Sequence, residues 1–294
     1  MATKLAGNRN EDKLLDMIIL ALLGIVAVLM LYPLLNIISI SVSSYKSYLL
    51  NPLMFFPVDL DFSAFIYVFT SPNMLRSYLN TLFITGAGTL IGMFMISITA
   101  YPLSRKGLRG KKYLMTFYII IMLFPGGIIP EYLVIKGIGL YDSLWALILP
   151  SLIPIYNLIL MKSFFESIPE SLIEAAKMDG APEFYIYYKI ILPLSKPALA
   201  AISMFLGILY WNDYFKAVLF IRSDKNWPVQ LLLREIITNA SSALYANEMV
   251  KPQDIYTKSV QYACLVVVIL PVVIIYPFVQ KFFVKGVMIG AVKG

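Results

Sequence analysis

"EAAKMDGAPEFYIYYKIILP", residues 174–193, packs five ionisable side chains, a glycine and two prolines into twenty residues. The stretches on either side, 143–161 and 197–212, contain no charge at all. A patterned polar segment between two apolar ones reads as a folded connector outside the apolar phase. The fold therefore depends on what the flanking stretches are.

They are membrane spans. The chain has 294 residues, of which 60% are hydrophobic and only 14% charged, with a mean hydropathy of +0.78. These values lie far outside those of ordinary globular domains. Charge-free windows at 17–45, 77–104, 113–130, 143–161 and 259–280 each approach the ~20 residues that a hydrocarbon core requires. A sixth, 197–212, is short, and reaches Ile221 if Asp213 and Lys216 avoid lipid, the usual fate of ionisable groups at membrane depth. The sequence thus predicts an all-α integral membrane protein with six transmembrane helices over 14–285. A segment 1–13 precedes them and a tail 286–294 follows. Lys4, Arg9 and Lys13 before the first window suggest a secretory signal, but 29 uncharged residues without a small-residue cleavage site predict a retained span.

Lysine and arginine counts set the orientation. With six spans both termini share a side, and that side receives 15 basic residues: 3 before the first span, 5 in 105–112, 4 in 162–196 and 3 at the C-terminus. The opposite loops hold 8, and Lys216 lies within a span. Both termini and the connector 162–196 are expected in the cytoplasm. This asymmetry accounts for the net charge of +7 without a nucleic-acid partner. The single cysteine, Cys264, excludes a disulfide framework and any thiolate metal set, and the absence of histidine removes the commonest general base and metal ligand.

The long outward loops are 46–75 and 222–258. The second carries an amphipathic pattern at 228–240, with Pro228 at its start, where a missing amide donor does no harm. Such loops either cap the bundle or form a docking surface. Prolines at 33, 102, 125, 150, 154, 271 and 277 lie inside the spans and favour kinks. No internal repeat is visible, which weakens a carrier built from duplicated halves.

In the connector, Ser167 and Glu170 have capping-box spacing and Pro169 sits in the first turn, so a helix is expected to start there and to end at Gly180. A second short element begins at Ala181 and Pro182, is aromatic at Phe184, Tyr185, Tyr187 and Tyr188, and is expected to stop at Leu192 and Pro193. Residues 166–183 hold five acids against one lysine. An element lying on lipid headgroups would be basic, so a cytoplasmic protein partner explains the segment better.

Glu174, Ala175 and Ala176, then three residues, Gly180, nine residues, Ile190, one residue, and Leu192 with Pro193 resemble the EAA signature of ABC importer permeases at every fixed position. The resemblance runs over roughly 14–294. "WNDYF" at 211–215, "LPLSKPALAA" at 192–201 and the tail "QKFFVKGVMIGAVKG" are similar to the carbohydrate-uptake branch, in the subgroup that imports oligosaccharides or polysaccharide fragments, among them uronate-containing glycans such as alginate. It implies the type I importer fold in a bacterial cytoplasmic membrane. The signature residues, with Asp179 among them, would form a coupling helix seated in a cytoplasmic ATPase. It also implies two ATPase subunits that bind ATP and Mg, a second homologous permease and an extracytoplasmic solute-binding protein that docks on the outward loops. No cofactor is expected in this chain, and it has no G-x4-G-K-[ST] loop. The final residues, 291–294, are a candidate ATPase contact.

A sugar path needs aromatic faces for pyranose rings and polar groups for hydroxyls. Tyr210, Trp211, Asn212, Asp213, Tyr214 and Lys216 offer both, and on one continuous helix Tyr210, Asp213 and Tyr214 share a face. The competing reading makes Asp213 and Lys216 a local ion pair and the aromatics an interfacial belt. Asn36, Asn80, Asn157 and Gln261 are expected to link helices, and Glu131 and Asp142 to be solvated near outward ends. Three alternatives stay open at this point: an ABC permease for another solute, a stand-alone ion-coupled carrier, and an intramembrane enzyme, the last disfavoured by the missing histidine.

Overall fold

The computed structural model describes residues 9–245 and 255–291. Among them every regular element is helical, apart from an isolated antiparallel bridge between Ser43 and Leu60. The chain divides into two compact units, residues 1–70 with 236–267 and residues 71–235 with 268–294.

In the first unit, α1 (Arg9–Ser41) runs unbroken through Pro33 and is followed by α2 (Tyr45–Leu50) and α3 (Ser63–Thr70). The last turns of α1 carry hydroxyl and amide side chains that hold the following loop against the helix end. Asn36 Nδ2 donates to the Pro52 and Met54 carbonyls at 3.2 and 3.0 Å, and Ser39 Oγ donates to Phe55 O at 2.6 Å. Asn36 thus anchors a loop rather than a second helix. Asp61 accepts from the Ser63 amide at 2.9 Å at the start of α3, and hydrogen bonds from Ser63 hold its carboxyl below the usual carboxylate range.

The second unit is built on α4 (Pro72–Ser104). Its buried face steps through Ser77, Thr81, Ile84, Gly88, Gly92, Ile96 and Ala100 at helical spacing. Small residues dominate it because membrane helices gain by close backbone approach rather than by water exclusion. A Cβ on Gly88 would stand 2.6 Å from the Tyr210 ring, and one on Gly92 would stand 3.0 Å from the Leu152 carbonyl oxygen. Only glycine permits both contacts.

Three of the expected spans are bent pairs. The third is α5 (Lys111–Leu123) and α6 (Ile128–Gly137), turned by 109° across Phe124, Pro125, Gly126 and Gly127. The expected single span 113–130 is corrected here. Pro125 removes a donor and Gly127 takes φ +88, so the kink becomes a complete break. The fourth comprises α7 (Trp145–Ile148) with the 3-10 turn Leu149–Ser151, and then α8 (Ile155–Ser167) at 47°, with Pro154 in extended conformation between them. The fifth region begins with α10 (Glu183–Leu194) and turns by 79° into α11 (Lys196–Trp211). Before it lies α9 (Glu170–Met178); after it come α12 (Phe215–Phe220), α13 (Val229–Tyr245) and α14 (Ile255–Ala291), which passes both Pro271 and Pro277 without interruption. With α1, α4 and the apolar part of α14, Lys258–Pro277, the bent pairs give up to six spans. Helix α14 continues to Ala291, so 286–291 are helical. The contact expected for 291–294 lies outside the described residues apart from Ala291, as do parts of the expected segments 1–13 and 222–258.

Candidate functional site

The connector folds into two helices joined by a tight turn. Helix α9 starts after Pro169, and no side-chain cap closes it: the Ser167 hydroxyl donates to Phe164 O at 2.7 Å inside α8. The capping box expected from Ser167 and Glu170 does not form, because α8 extends to Ser167 itself. The other end follows expectation. Gly180 has φ +78, its amide donates to Lys177 O at 3.0 Å and the Ala181 amide donates to Ala176 O at 3.0 Å. These are the paired bonds of a helix closed by a left-handed glycine.

Within the EAA-like signature, Glu174, Ala175, Asp179 and Gly180 are exposed, whereas Ala176 is half-buried and packs against the core beside buried Ile173. Met178, at the tip, is 88% exposed, and Phe184, Tyr185 and Tyr188 are also exposed. Ile190 and Leu192 pack on the core and anchor α10, while Pro193 is exposed. The second element does not stop at Leu192 and Pro193 as expected. It widens into a π-helical stretch, Ile186–Ile191, and continues to Leu194. A π turn reroutes hydrogen bonds around the amide that proline lacks. A notch of about 490 Å³ lies beside the turn, lined by Ala176, Asp179, Gly180, Tyr185 and Lys189.

Several charged and hydroxyl groups around this connector are paired, although the buried Arg105 Nε and Nη2 and Ser195 Oγ have no hydrogen-bond partner among the described residues. Lys106 bonds Glu170, which raises the lysine pKa through the hydrogen bond and the opposite charge. Lys111 and Lys162 reach Glu166 at 2.8 and 2.7 Å, and Lys177 reaches Glu183 at 2.5 Å. The Tyr101 hydroxyl donates to Glu183 Oε2 at 2.6 Å, and the Ser97 and Tyr187 hydroxyls meet at 2.8 Å. Sequence reasoning missed these links. The signal was present in the five bases of 105–112 and the five acids of 166–183, but the bases were read only as topological markers.

The six pathway candidates separate into two groups. Tyr210 and Trp211 are buried at 2% and 6% exposure. The Tyr210 hydroxyl donates to Ile148 O at 3.1 Å, and Trp211 Nε1 donates to Val268 O at 3.2 Å. Both side chains are tied into the surrounding helices, and Trp211 also lines an apolar cavity. Helix α11 ends at Trp211 and the chain unwinds through Asn212, Asp213 and Tyr214 before α12, so the expected common face of Tyr210, Asp213 and Tyr214 does not exist. Asp213 Oδ1 accepts the Lys216 backbone amide at 3.1 Å, while Lys216 Nζ bonds Ser151 Oγ and lies 4.0 Å from Glu131. The local ion pair of the competing reading is therefore replaced by a cluster drawn from three broken spans. Gln230 Nε2 donates to Asn212 Oδ1 at 3.2 Å, and the Arg234 guanidinium lies 5.3 Å from the Tyr214 ring centre, so the first turns of α13 cover the break.

Asp142 is not simply solvated. At φ +62 its Oδ1 accepts the Arg222 and Ser223 amides at 3.0 and 2.8 Å, tying down the start of the loop that begins at Arg222. Asn80 Nδ2 donates to the Lys225 and Trp227 carbonyls at 2.9 and 3.1 Å, and so serves the same loop. Gln261 donates to Ile236 O at 3.3 Å. Separately, α4, α11 and α14 enclose an apolar cavity of about 520 Å³, lined by Thr85, Gly86, Thr89, Gly207, Trp211 and Pro271 among others.

Bent apolar helices, a polar two-helix connector between two of them and an unwound polar break after another fit a multi-pass membrane transport subunit. Residues 88–289 match the binding-protein-dependent transport system inner membrane component family, and the chain belongs to it. It is 40% identical over 286 residues to the polygalacturonan/rhamnogalacturonan transport system permease protein YtcP of Bacillus subtilis (strain 168), covering 97% of this chain and 100% of that one. Protein LplC of the same organism is 37% identical over 287 residues, covering 98% and 97%. A chain in the crystal structure of a bacterial ABC transporter involved in the import of the acidic polysaccharide alginate matches with a TM-score of 0.84 and 35% identity, over 96% of this chain and 100% of that one.

Proposed function

We propose that this chain is one permease half of an ATP-driven importer for oligosaccharides derived from polysaccharides, with acidic glycans as the favoured class. It pairs with a second homologous permease. Two separate ATPase subunits bind ATP and Mg, and an extracytoplasmic solute-binding protein delivers cargo to the loops 46–75 and 222–258. The termini and the connector 162–196 face the cytoplasm. Membrane lipid surrounds the spans, and the chain itself needs no cofactor.

One observation carries this reading: a glycine-capped nine-residue helix holds Met178 at 88% exposure at its tip, between exposed Glu174, Ala175 and Asp179. An apolar tip with a fixed polar rim suits a protein cleft better than water or lipid headgroups. Glu174, Ala175, Ala176, Asp179 and Gly180 form the contact face, and Ile190, Leu192 and Pro193 belong to the helix that supports it. The acidic polysaccharides named for the relatives support the cargo class.

For the pathway, the unwound segment at Asn212, Asp213 and Tyr214, together with Lys216, is the favoured element. Irregular backbone at membrane depth is tolerated where it lines a polar cavity, and broken helices commonly mark substrate sites. Tyr210 and Trp211 support this segment from behind. The test is uptake into proteoliposomes containing the chain with its co-purified partners and binding protein, using oligogalacturonides and alginate oligosaccharides as probes. The reading predicts uptake that requires ATP and the binding protein. Uptake by the chain alone, driven by a proton or sodium gradient, would contradict it.

A further inference from the structure

The basic loop 105–112 and the foot of α4 have a role beyond topology. A positive-inside signal needs only charge on one side of the membrane, and free, solvated side chains would satisfy it. Instead Ser97, Tyr101, Lys106 and Lys111, at or just beyond this end of α4, are each engaged with the connector that contains the coupling helix.

The rungs follow the helical repeat. Ser97 and Tyr101 stand one turn apart on α4, and their partners Tyr187 and Glu183 stand one turn apart on α10, in reverse order. Two hydroxyl bonds on successive turns therefore join a pair of antiparallel helices at fixed register. Ser97 and Tyr187 are buried, and the Tyr101 and Tyr187 rings pack with centroids 5.1 Å apart, so the upper rung is shielded from water. Beyond the helix end, Arg105 lies 4.7 Å from the Tyr101 ring centre and Lys106 bonds Glu170, the first residue of α9. Lys111 then reaches Glu166 at the end of α8. On the far side of the Gly180 turn, Lys177 closes on the same Glu183 that Tyr101 holds. Helix α9 is thus bracketed at its start by Lys106 and past its end by Tyr101 through Glu183.

We propose that these groups form a brace that makes the coupling helix and the cytoplasmic half of α4 one rigid body, with Tyr101, Glu183, Ser97 and Tyr187 as its positioning residues. The inference rests on the proposed ATPase contact of α9 and adds the route by which its displacement enters the membrane. At its other half, the same α4 lies against Tyr210 through Gly88 and against Leu206 through Gly92. A shift of α9 would then be delivered along α4 to the helix that ends at the Asn212–Tyr214 break. The exposed ion pairs contribute little individually. The shielded Ser97–Tyr187 rung, which has no water to replace a lost partner, carries most of the constraint, and the exposed Tyr101–Glu183 bond fixes the register beside it.

The test uses the assembled transporter, chain with partner permease and ATPases, in nanodiscs. Spin labels are placed at Met178→Cys and Arg109→Cys, both exposed, in a Cys264→Ala background. The brace predicts one narrow distance distribution that is unchanged between nucleotide-free and ATP-trapped states. In Tyr101→Phe/Tyr187→Phe, which removes two hydroxyls and no ring, the distribution should broaden or shift with nucleotide. Oligogalacturonide transported per ATP hydrolysed should fall about two- to tenfold, the scale expected for a network residue that modulates coupling. Glu183→Gln, which keeps an acceptor for Tyr101, should fall less than Glu183→Ala. A wild-type label distance that changes on ATP trapping would overturn the brace, as would unchanged transport per ATP in the double variant. Gly180→Val distinguishes the two levels: if it too leaves ATP-dependent uptake intact, the coupling reading fails; if it alone abolishes uptake, only the brace fails.

Discussion

Gly88→Ala tests the packing on which the second unit depends. A methyl group at residue 88 would stand 2.6, 2.7 and 2.8 Å from three atoms of the Tyr210 ring, where ordinary contacts begin near 3.5 Å. The ring cannot swing aside freely, because it is 2% exposed and its hydroxyl donates to Ile148 O at 3.1 Å. Overpacking of this kind costs about 1–3 kcal/mol, and a buried hydrogen bond pulled out of line adds roughly 1 kcal/mol. Replacing glycine by alanine within a helix returns up to about 1 kcal/mol. The net expectation is a loss of about 1–3 kcal/mol, or a melting point about 3–10 °C lower for a unit of this size. The assay is thermal unfolding of the detergent-purified chain, with Gly86→Ala as control, since a Cβ there meets nothing within 4 Å. Tyr210→Ala should cost less in the Gly88→Ala background than in wild type, because the two sites are coupled. If Gly88→Ala melts with Gly86→Ala, or if the two changes are additive, the close approach of α4 and α11 is not as described.

Other expectations follow from single residues. Gly180→Val should abolish most ATP-dependent uptake while the chain still reaches the membrane. The φ of +78 is worth about 1–2 kcal/mol against any residue with a Cβ, although no neighbouring atom obstructs it. Asp142→Ala should remove the acceptor of two backbone amides and destabilise the loop that begins at Arg222 by about 1–3 kcal/mol, read as faster proteolysis within 222–235, whereas Asp142→Asn should be close to wild type because it keeps an acceptor and tolerates positive φ. Trp211→Ala should lower stability by about 3–5 kcal/mol through lost packing. Asp213→Asn should leave the melting point nearly unchanged and alter the apparent affinity for oligogalacturonide.

Much of the fold was legible because membrane insertion writes itself into composition. Uncharged windows overlap each of the up to six candidate spans, although the fifth ends at Trp211 rather than Ile221, and Gly180 announced the end of α9 because few other residues accept its backbone conformation. The breaks were less legible. Pro125 and Pro154 interrupt their helices while Pro33, Pro271 and Pro277 do not, and the difference lies in neighbours such as Gly126 and Gly127 rather than in proline itself. The buried place of Tyr210 and Trp211 was hidden because an aromatic next to polar residues reads alike in a pathway and in a packed seam. Gly88, three spans earlier, shows that room was made for the Tyr210 ring. The links from Lys106 and Tyr101 to Glu170 and Glu183 were only half legible: the complementary charges stand in the sequence, but pairings across some sixty to eighty residues depend on which helix feet meet.

The central claim, that α9 is held by a cytoplasmic ATPase, is tested most directly by placing a photo-crosslinking amino acid at Met178 in native membranes. A second label at Leu90, exposed at 75% on α4, serves as a control, and the adducts are identified by mass spectrometry. The account predicts an ATP-binding subunit joined through Met178 and absent from Leu90. Lipid adducts alone at Met178, from a chain that still takes up oligosaccharide, would contradict it.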